Sequence, residues 1–205
     1  MSGIEARGLT VSFRGAPVFE GVDLDAPAGA VTGVTGTSGS GKTTLLRVLA
    51  GLHPADAGEV RYDGAPAPAK GSVALLAQHP RLVCNPRWTL ARVLAEPAVI
   101  RGQRPAVDEV ARRVGLDPEL LDRYPGQVSD GQLQRACLGR VLTQRARFLL
   151  CDEPTAMLDP IATGSVVSLL GEFAADGAAV VLVSHDPALV DALAAHALAL
   201  PRPLG

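Results

Sequence analysis

Residues 36–43 read Gly36-Thr37-Ser38-Gly39-Ser40-Gly41-Lys42-Thr43, a GxxxxGK[ST] pattern lying close behind the apolar run AVTGV and, from Thr44, directly ahead of the helix-period stretch TLLRVLA. Glycines let a backbone wrap around an anion because no Cβ collides with it. The amides of such a loop converge together with the positive end of the helix that follows. The chemistry is phosphate binding: Lys42 can set a point charge against the β and γ phosphates of a nucleotide, and the Thr43 hydroxyl can coordinate Mg²⁺. A plain Gly-rich turn is the alternative, and the strand and helix on either side of the pattern disfavour it.

A second run, Phe148-Leu149-Leu150-Cys151-Asp152-Glu153, is apolar until it ends in two adjacent carboxylates. A buried strand that delivers acids from its end suits a bound metal phosphate. The two acids should divide the labour, Asp152 holding Mg²⁺ through water and Glu153, facing differently, polarising an attacking water as general base. On its own an Asp-Glu pair after an apolar run is also a common strand end or helix cap.

These residues need elements to position them. Short apolar runs bounded by Gly and Pro predict strands at Leu9 to Phe13, Ala30 to Val34, Ser72 to Leu76, Phe148 to Cys151 and Ala179 to Val183. Helix-period segments fall at Thr43 to Ala50, Val107 to Val114, Gln132 to Thr143, Ile161 to Ala175 and Pro187 to Ala195. Strands alternating with helices predict an α/β core around a mainly parallel sheet. The stretch from about His79 to Arg145 is mostly helical in pattern and reads as an insertion, while Ala65 to Ala69 (APAPA) is a Pro-rich turn.

Bulk properties narrow the function classes. The 205 residues suit one buried domain, and 47% apolar with 20% charged residues is ordinary for a globular protein. A formal charge of -2 offers no basic excess to neutralise a nucleic acid backbone, so no nucleic acid partner is expected. Cys84, Cys137 and Cys151 show no CxxC spacing and read as reduced intracellular thiols, most simply small packing residues. The N-terminal MSGIEARGLT lacks the basic and apolar regions of a secretory signal. The apolar stretch near the other end is broken by Asp191 and His196, well short of the roughly 20 residues that span a bilayer, so membrane association is expected to run through a partner.

Between the two runs lies Val128-Ser129-Asp130-Gly131-Gln132-Leu133-Gln134-Arg135, which resembles the LSGGQ signature of ABC transporter ATP-binding cassettes. In the same order as in that family, Gln78 resembles its Q-loop, Ala156-Met157-Leu158-Asp159 its D-loop, and His185 in VLVSHD its switch histidine. The resemblance implies a P-loop NTPase fold, with a RecA-like core of about 1–78 and 147–205, a small antiparallel β part and an inserted helical signature subdomain of about 79–146. It also implies ATP hydrolysis that powers transport through integral membrane permease subunits, at the cytoplasmic face of the membrane. Two cassettes, identical or different, would pair head to tail, each ATP lying between the loop of one and the signature of the other. Ser129, Gly131, Gln132 and Asp159 would then act in trans, Phe13 would stack on adenine, Gln78 would contact metal and water, and His185 would hold the γ-phosphate. The segment from Gln78 through Asn85-Pro86-Arg87-Trp88 to Glu96-Pro97, with EPTAMLDP, resembles the peptide and nickel importer branch; Trp88 fits equally as a core or interface anchor.

Three features depart from the family pattern. Asp130 stands where the signature has its first glycine, and a carboxylate facing a triphosphate should weaken the pairing unless it turns to solvent or caps the helix; the site completed by this signature is expected to be the less active of two. Phe13 replaces the usual Tyr, keeps a π face and would also serve as a core aromatic. The chain stops soon after His185, where cassettes of the peptide branch carry a longer tail. Two other functions fit parts of the pattern. A soluble ABC-type ATPase of DNA repair or translation would bring coiled-coil heptads, a zinc cluster or tandem cassettes. A small-molecule kinase would use Lys42 and Asp152 but leave Ser129 to Arg135 without a purpose.

Overall fold

The structure is a computed structural model that describes residues 3–156 and 158–200. Met157, part of the run that resembles a D-loop, lies outside them. The chain divides into two units: Met1–Leu75 with Arg147–Glu153 and Leu169–Gly205, and Leu76–Ala146 with Pro154–Ser168.

In the first unit, β1 (Gly3–Phe13) and β2 (Ala16–Pro27) form an antiparallel hairpin. Arg14 and Gly15 between them have φ of 52° and 83°, the pair of positive angles that a tight two-residue hairpin turn demands. Ile4 and Ala6 point into the core on one phase of the strand alternation, Leu9 and Val11 on the other. The register slips between Ala6 and Leu9, where the Gly8 N–H donates to Asp23 Oδ1 at 2.7 Å. This bulge hides the first half of β1 from a period-2 reading, which finds only Leu9 to Phe13. β4 (Ala57–Tyr62) pairs on the other side of β1, giving a small antiparallel sheet in the order β2-β1-β4.

The larger sheet contains β3 (Val31–Thr35), β5 (Val73–Leu76), β6 (Phe148–Asp152), β7 (Ala179–Val183) and β8 (His196–Ala199), in the order β5-β6-β7-β3-β8. The pairs β6–β7, β7–β3 and β3–β8 are parallel. β6 and β7 are buried at every position, so both are continuous apolar runs rather than alternating ones. Helix α1 (Lys42–Leu49) sends Leu45, Leu46 and Leu49 into a core shared with Val34, Leu150 and Val181. Each such leucine contributes about 1.5–3 kcal/mol by leaving water.

The second unit is helical, with α2 (Pro80–Val83), α3 (Leu90–Ile100), α4 (Val107–Arg113) and α5 (Asp130–Gln144). Helices α3, α4 and α5 converge at Gly139, where an added Cβ would sit 3.1 Å from the side chains of both Leu94 and Val110. Arg101, just past α3, donates to the carbonyls of Thr143 and Gln144 at 2.6 and 2.8 Å and so closes the end of α5. Arg140 pairs with Glu96 at 2.6 Å. Two further helices are α6 (Pro160–Ala175) and α7 (Pro187–Leu193). The helix read from sequence as Pro187 to Ala195 stops two positions earlier, because Ala195 donates its N–H to Val31 O at 2.9 Å and leads the chain into β8.

Candidate active site

The loop after β3 is built by its glycines. Gly41 is the left-handed N-cap of α1 at φ 92°, and a Cβ there would meet Val18 Cγ1 at 2.6 Å and Phe19 Cδ1 at 2.9 Å. At Gly36 a Cβ would strike Ser40 Oγ at 2.6 Å. Thr37, Ser38 and Gly39 form an exposed crest, and Ser40 and Lys42 are buried beneath it. Lys42, 6% exposed, folds back so that Nζ donates to the carbonyls of Gly36 and Thr37, both at 2.9 Å.

Two observations show that this loop suits an anion. Ser40 Oγ is fully buried and has no hydrogen-bond partner among the described residues. The N-terminus of α1 has no side-chain cap, so the first amides of the helix, through Thr44, remain directed at the loop. A phosphate would satisfy these donors and draw on the charge of Lys42.

The carboxylates arrive from the end of β6. Thr43 Oγ1 donates to Asp152 Oδ2 at 2.8 Å across 109 residues of sequence, and Asp152 is 5% exposed. Paired hydroxyl and carboxylate oxygens are the donor set that a hard cation such as Mg²⁺ takes, usually with waters and phosphate completing the shell. Glu153 departs from the strand: its φ is 49°, in the left-handed region, while its N–H still donates to Val183 O at 3.0 Å. The strained turn aims its carboxylate at His185, whose Nε2 lies 2.8 Å from Oε1. The His185 turn is held by Ser184 Oγ, which accepts from the Asp186 N–H at 3.0 Å. Thr43 and Asp152 thus meet in the first unit, with Lys42 the residue before Thr43 in the chain, and Glu153 and His185 form a second contact in it. Phe13, at the end of β1, is 47% exposed and meets the His53 ring edge-on at 5.0 Å, so it is not a core aromatic.

The remaining residues singled out by sequence belong to the second unit. Gln78 is half-buried in the bend that precedes α2. Ser129 is the N-cap of α5 in a reciprocal capping box: its Oγ accepts from the Gln132 N–H at 3.2 Å, and Gln132 Oε1 accepts from the Ser129 N–H at 2.9 Å. The Ser129 hydroxyl keeps its own hydrogen to donate elsewhere. Gly131 lies in the first turn of the same helix. Asp159 caps α6, with Oδ1 accepting from the Ala162 N–H at 2.9 Å.

Sequence reasoning missed Arg81. Its guanidinium pairs with Asp130 and donates to the carbonyls of Pro125 and Val128, each at 2.8 Å. It therefore organises the entry to α5 from 49 residues upstream of Asp130. The signal available in sequence was only a basic residue soon after Gln78, with nothing local to mark its partner. Gln134, inside the signature run, is 1% exposed and donates from Nε2 to Pro154 O at 3.2 Å.

Residues 19–156 match the model of the family described as ABC transporter. The chain belongs to that family. Among relatives of this ABC cassette, a methionine import ATP-binding protein of Caulobacter vibrioides is 37% identical over 193 residues, which cover 86% of this chain and 57% of the relative. An aliphatic sulfonates import ATP-binding protein of Rhodopseudomonas palustris is 38% identical, with 96% of this chain and 70% of the relative covered. The chain thus spans little more than half of the methionine relative's length. A dimeric structure of a post-hydrolysis state of an ATP-binding cassette, bound to ADP and Pi, superposes with a TM-score of 0.87 at 23% identity over 96% of this chain and 94% of that one, a likeness of fold. The fold is that of an ABC ATPase, a P-loop NTPase with the expected mainly parallel sheet, small antiparallel sheet and helices. ATP-binding cassettes of this family are ATPases coupled to transport.

Proposed function

We propose that this ABC cassette binds Mg-ATP on the loop from Gly36 to Thr44 and hydrolyses it to drive solute transport through an integral membrane permease, working in a pair with a second cassette. The observation that carries this reading is the 2.8 Å contact of Thr43 with Asp152, which joins the end of the lysine-bearing loop to the acid-bearing strand. In this reading the core of about 1–78 and 147–205 carries the nucleotide, and the subdomain of about 79–146 carries the signature. Loop amides and Lys42 bind the phosphates, and Phe13 stacks on the base. Mg²⁺ would be held by Thr43 and Asp152, with Gln78 as a further ligand, and would neutralise charge on the β and γ phosphates.

Glu153 accepts a proton from the water that attacks the γ-phosphorus, and His185 holds that carboxylate in place while contacting the γ-phosphate. Ser129, Gly131, Gln132 and Asp159 reach the ATP of the paired cassette, the first three from the N-terminus of α5, where the helix dipole favours an anion. Loss of the terminal phosphate removes the charge that bridges the pair, and the pair reopens. The permease places the cassette at the cytoplasmic face of the membrane; among the described residues no helix is long and apolar enough to cross one. For the cargo, the run from Gln78 to Glu96-Pro97 and the EPTAMLDP wording support a peptide or nickel class, whereas the two relatives are named for methionine and sulfonates. Uptake assays with the copurified permease separate these cargoes.

Glu153→Gln in the assembled complex tests the mechanism. It should keep ATP binding, lower hydrolysis by about 100-fold or more and accumulate paired cassettes on size exclusion. A variant that cycles freely would remove Glu153 from the role of base, and full hydrolysis by isolated wild-type monomers would remove the pairing.

A further inference from the structure

Cys84 and Cys137 are 53 residues apart in sequence, yet their sulfurs lie 3.4 Å from each other. Cys84 closes α2 and is half-buried; Cys137 lies on α5 and is 7% exposed. One thiol of the pair is therefore reachable from solvent and the other is tucked behind it. Their chemistry is unequal too. A hydrogen bond from Cys137, helped by the nearby charge of Arg140, holds the Cys84 thiol below the usual range, while the same contact and burial push Cys137 up. Cys151, the third cysteine, is fully buried in β6, where burial pushes its thiol far up and keeps it inert.

We propose that Cys84 and Cys137 form an oxidation site at which a hydroperoxide is reduced and the two thiols close into an intramolecular disulfide. The Cys84 thiolate attacks one peroxide oxygen; the O–O bond breaks, the other oxygen leaves as water or alcohol after protonation, and Cys84 becomes a sulfenic acid. The Cys137 sulfur then attacks the Cys84 sulfur, loses its proton and expels hydroxide, which leaves as water. Two thiols have given two electrons and two protons, and one peroxide has become water plus water or alcohol. The sulfurs need to close from 3.4 Å to about 2.05 Å, a motion that side-chain rotation and a small shift of the four-residue α2 can supply. The bond would fasten the segment close behind Gln78 to the helix that carries the signature.

The test uses the full chain, reduced and then treated with hydrogen peroxide. Free thiols should fall from three per chain to about one, and the intact mass should drop by about 2 Da. A non-reducing digest should show the Cys84 peptide joined to the Cys137 peptide, and dithiothreitol should reverse every change. Cys84→Ser should abolish the link, and Cys137→Ser should leave a sulfenic acid on Cys84 that a dimedone probe captures. Three titratable thiols after peroxide would overturn the proposal. So would a link through Cys151 or between chains, or over-oxidised Cys84 without a link in the wild-type chain.

Discussion

Arg81 Nε lies 2.5 Å from Asp130 Oδ1, so the carboxylate that interrupts the signature is held by a guanidinium from α2. The expectation of a weakened site assumed a carboxylate free to oppose a phosphate; it is paired instead, and its place in the first turn of α5 also suits the helix dipole. Asp130→Gly should therefore change the ATPase rate of the assembled complex by less than about twofold, in line with the small worth of an exposed ion pair. Arg81→Ala should slow it more, because it leaves Asp130 uncompensated and frees the carbonyls of Pro125 and Val128. The double variant should recover part of the loss. No recovery on adding Asp130→Gly would show that Arg81 acts through the carbonyls alone.

Lys42 is the buried cation of the loop, and its Nζ donates to the carbonyls of Gly36 and Thr37 and so restrains the loop. Lys42→Ala removes the charge and the restraint together. ATP affinity should fall by at least about 100-fold, or about 2.8 kcal/mol. Titration with a fluorescent ATP analogue at fixed magnesium reads this, and a melting curve run beside it shows that the fold persists. Affinity within threefold of wild type would refute the loop assignment.

His185 and Glu153 test the division between binding and chemistry. His185→Ala should lower the single-turnover hydrolysis rate by about 100-fold, the lower end of what positioned proton transfer supplies, with a much smaller change in ATP affinity. His185→Gln should retain more activity than His185→Ala, because the amide can still donate to Glu153 Oε1 across the 2.8 Å position that Nε2 now occupies. Equal loss in both variants would mean that the imidazole does something other than hold the carboxylate.

How far the molecule was legible from its sequence depended on whether the information was local. The loop at Gly36 to Thr43 and the run ending at Asp152 and Glu153 each carry their chemistry in one contiguous stretch, with flanks that declare a strand or a helix. β2 was not legible, because Phe19 and Val22 face the core on opposite phases around the Gly21 bulge. β4 gave no alternation, since Tyr62 is its only buried residue. β8 is the short His-Ala-Leu-Ala continuation of an alanine-rich helical pattern. In α3, Pro97 lies inside the helix and obscures a span that Thr89 begins by accepting from the Arg92 N–H. The pairs Arg81–Asp130 and Cys84–Cys137 come from the packing of α2 against α5, and spacing along the chain says nothing about them.

Tyr62 links the small sheet to α1 and supplies a prediction about stability. Its hydroxyl, 5% exposed as a residue, donates to Leu49 O at 2.7 Å, and its ring meets Phe148 edge-on at 5.5 Å. Tyr62→Phe keeps the ring contact but takes the donor from a carbonyl in the last turn of α1, at a cost of about 1–3 kcal/mol, or roughly 2–12 °C in Tm for a chain of this size. The hydroxyl also gives a pH signature, because burial raises its pKa above the value of about 10 in the unfolded chain. Below that pH both states hold the proton and the full difference between wild type and variant is present. As pH rises through and past it, the unfolded chain ionises first and wild-type stability falls, while the Phe variant has no such group to lose. Tyr124 is common to both proteins and cancels. Denaturant midpoints at pH 8 and pH 11 should therefore converge at the higher pH, and a constant gap would show that the Tyr62 hydroxyl ionises as readily folded as unfolded.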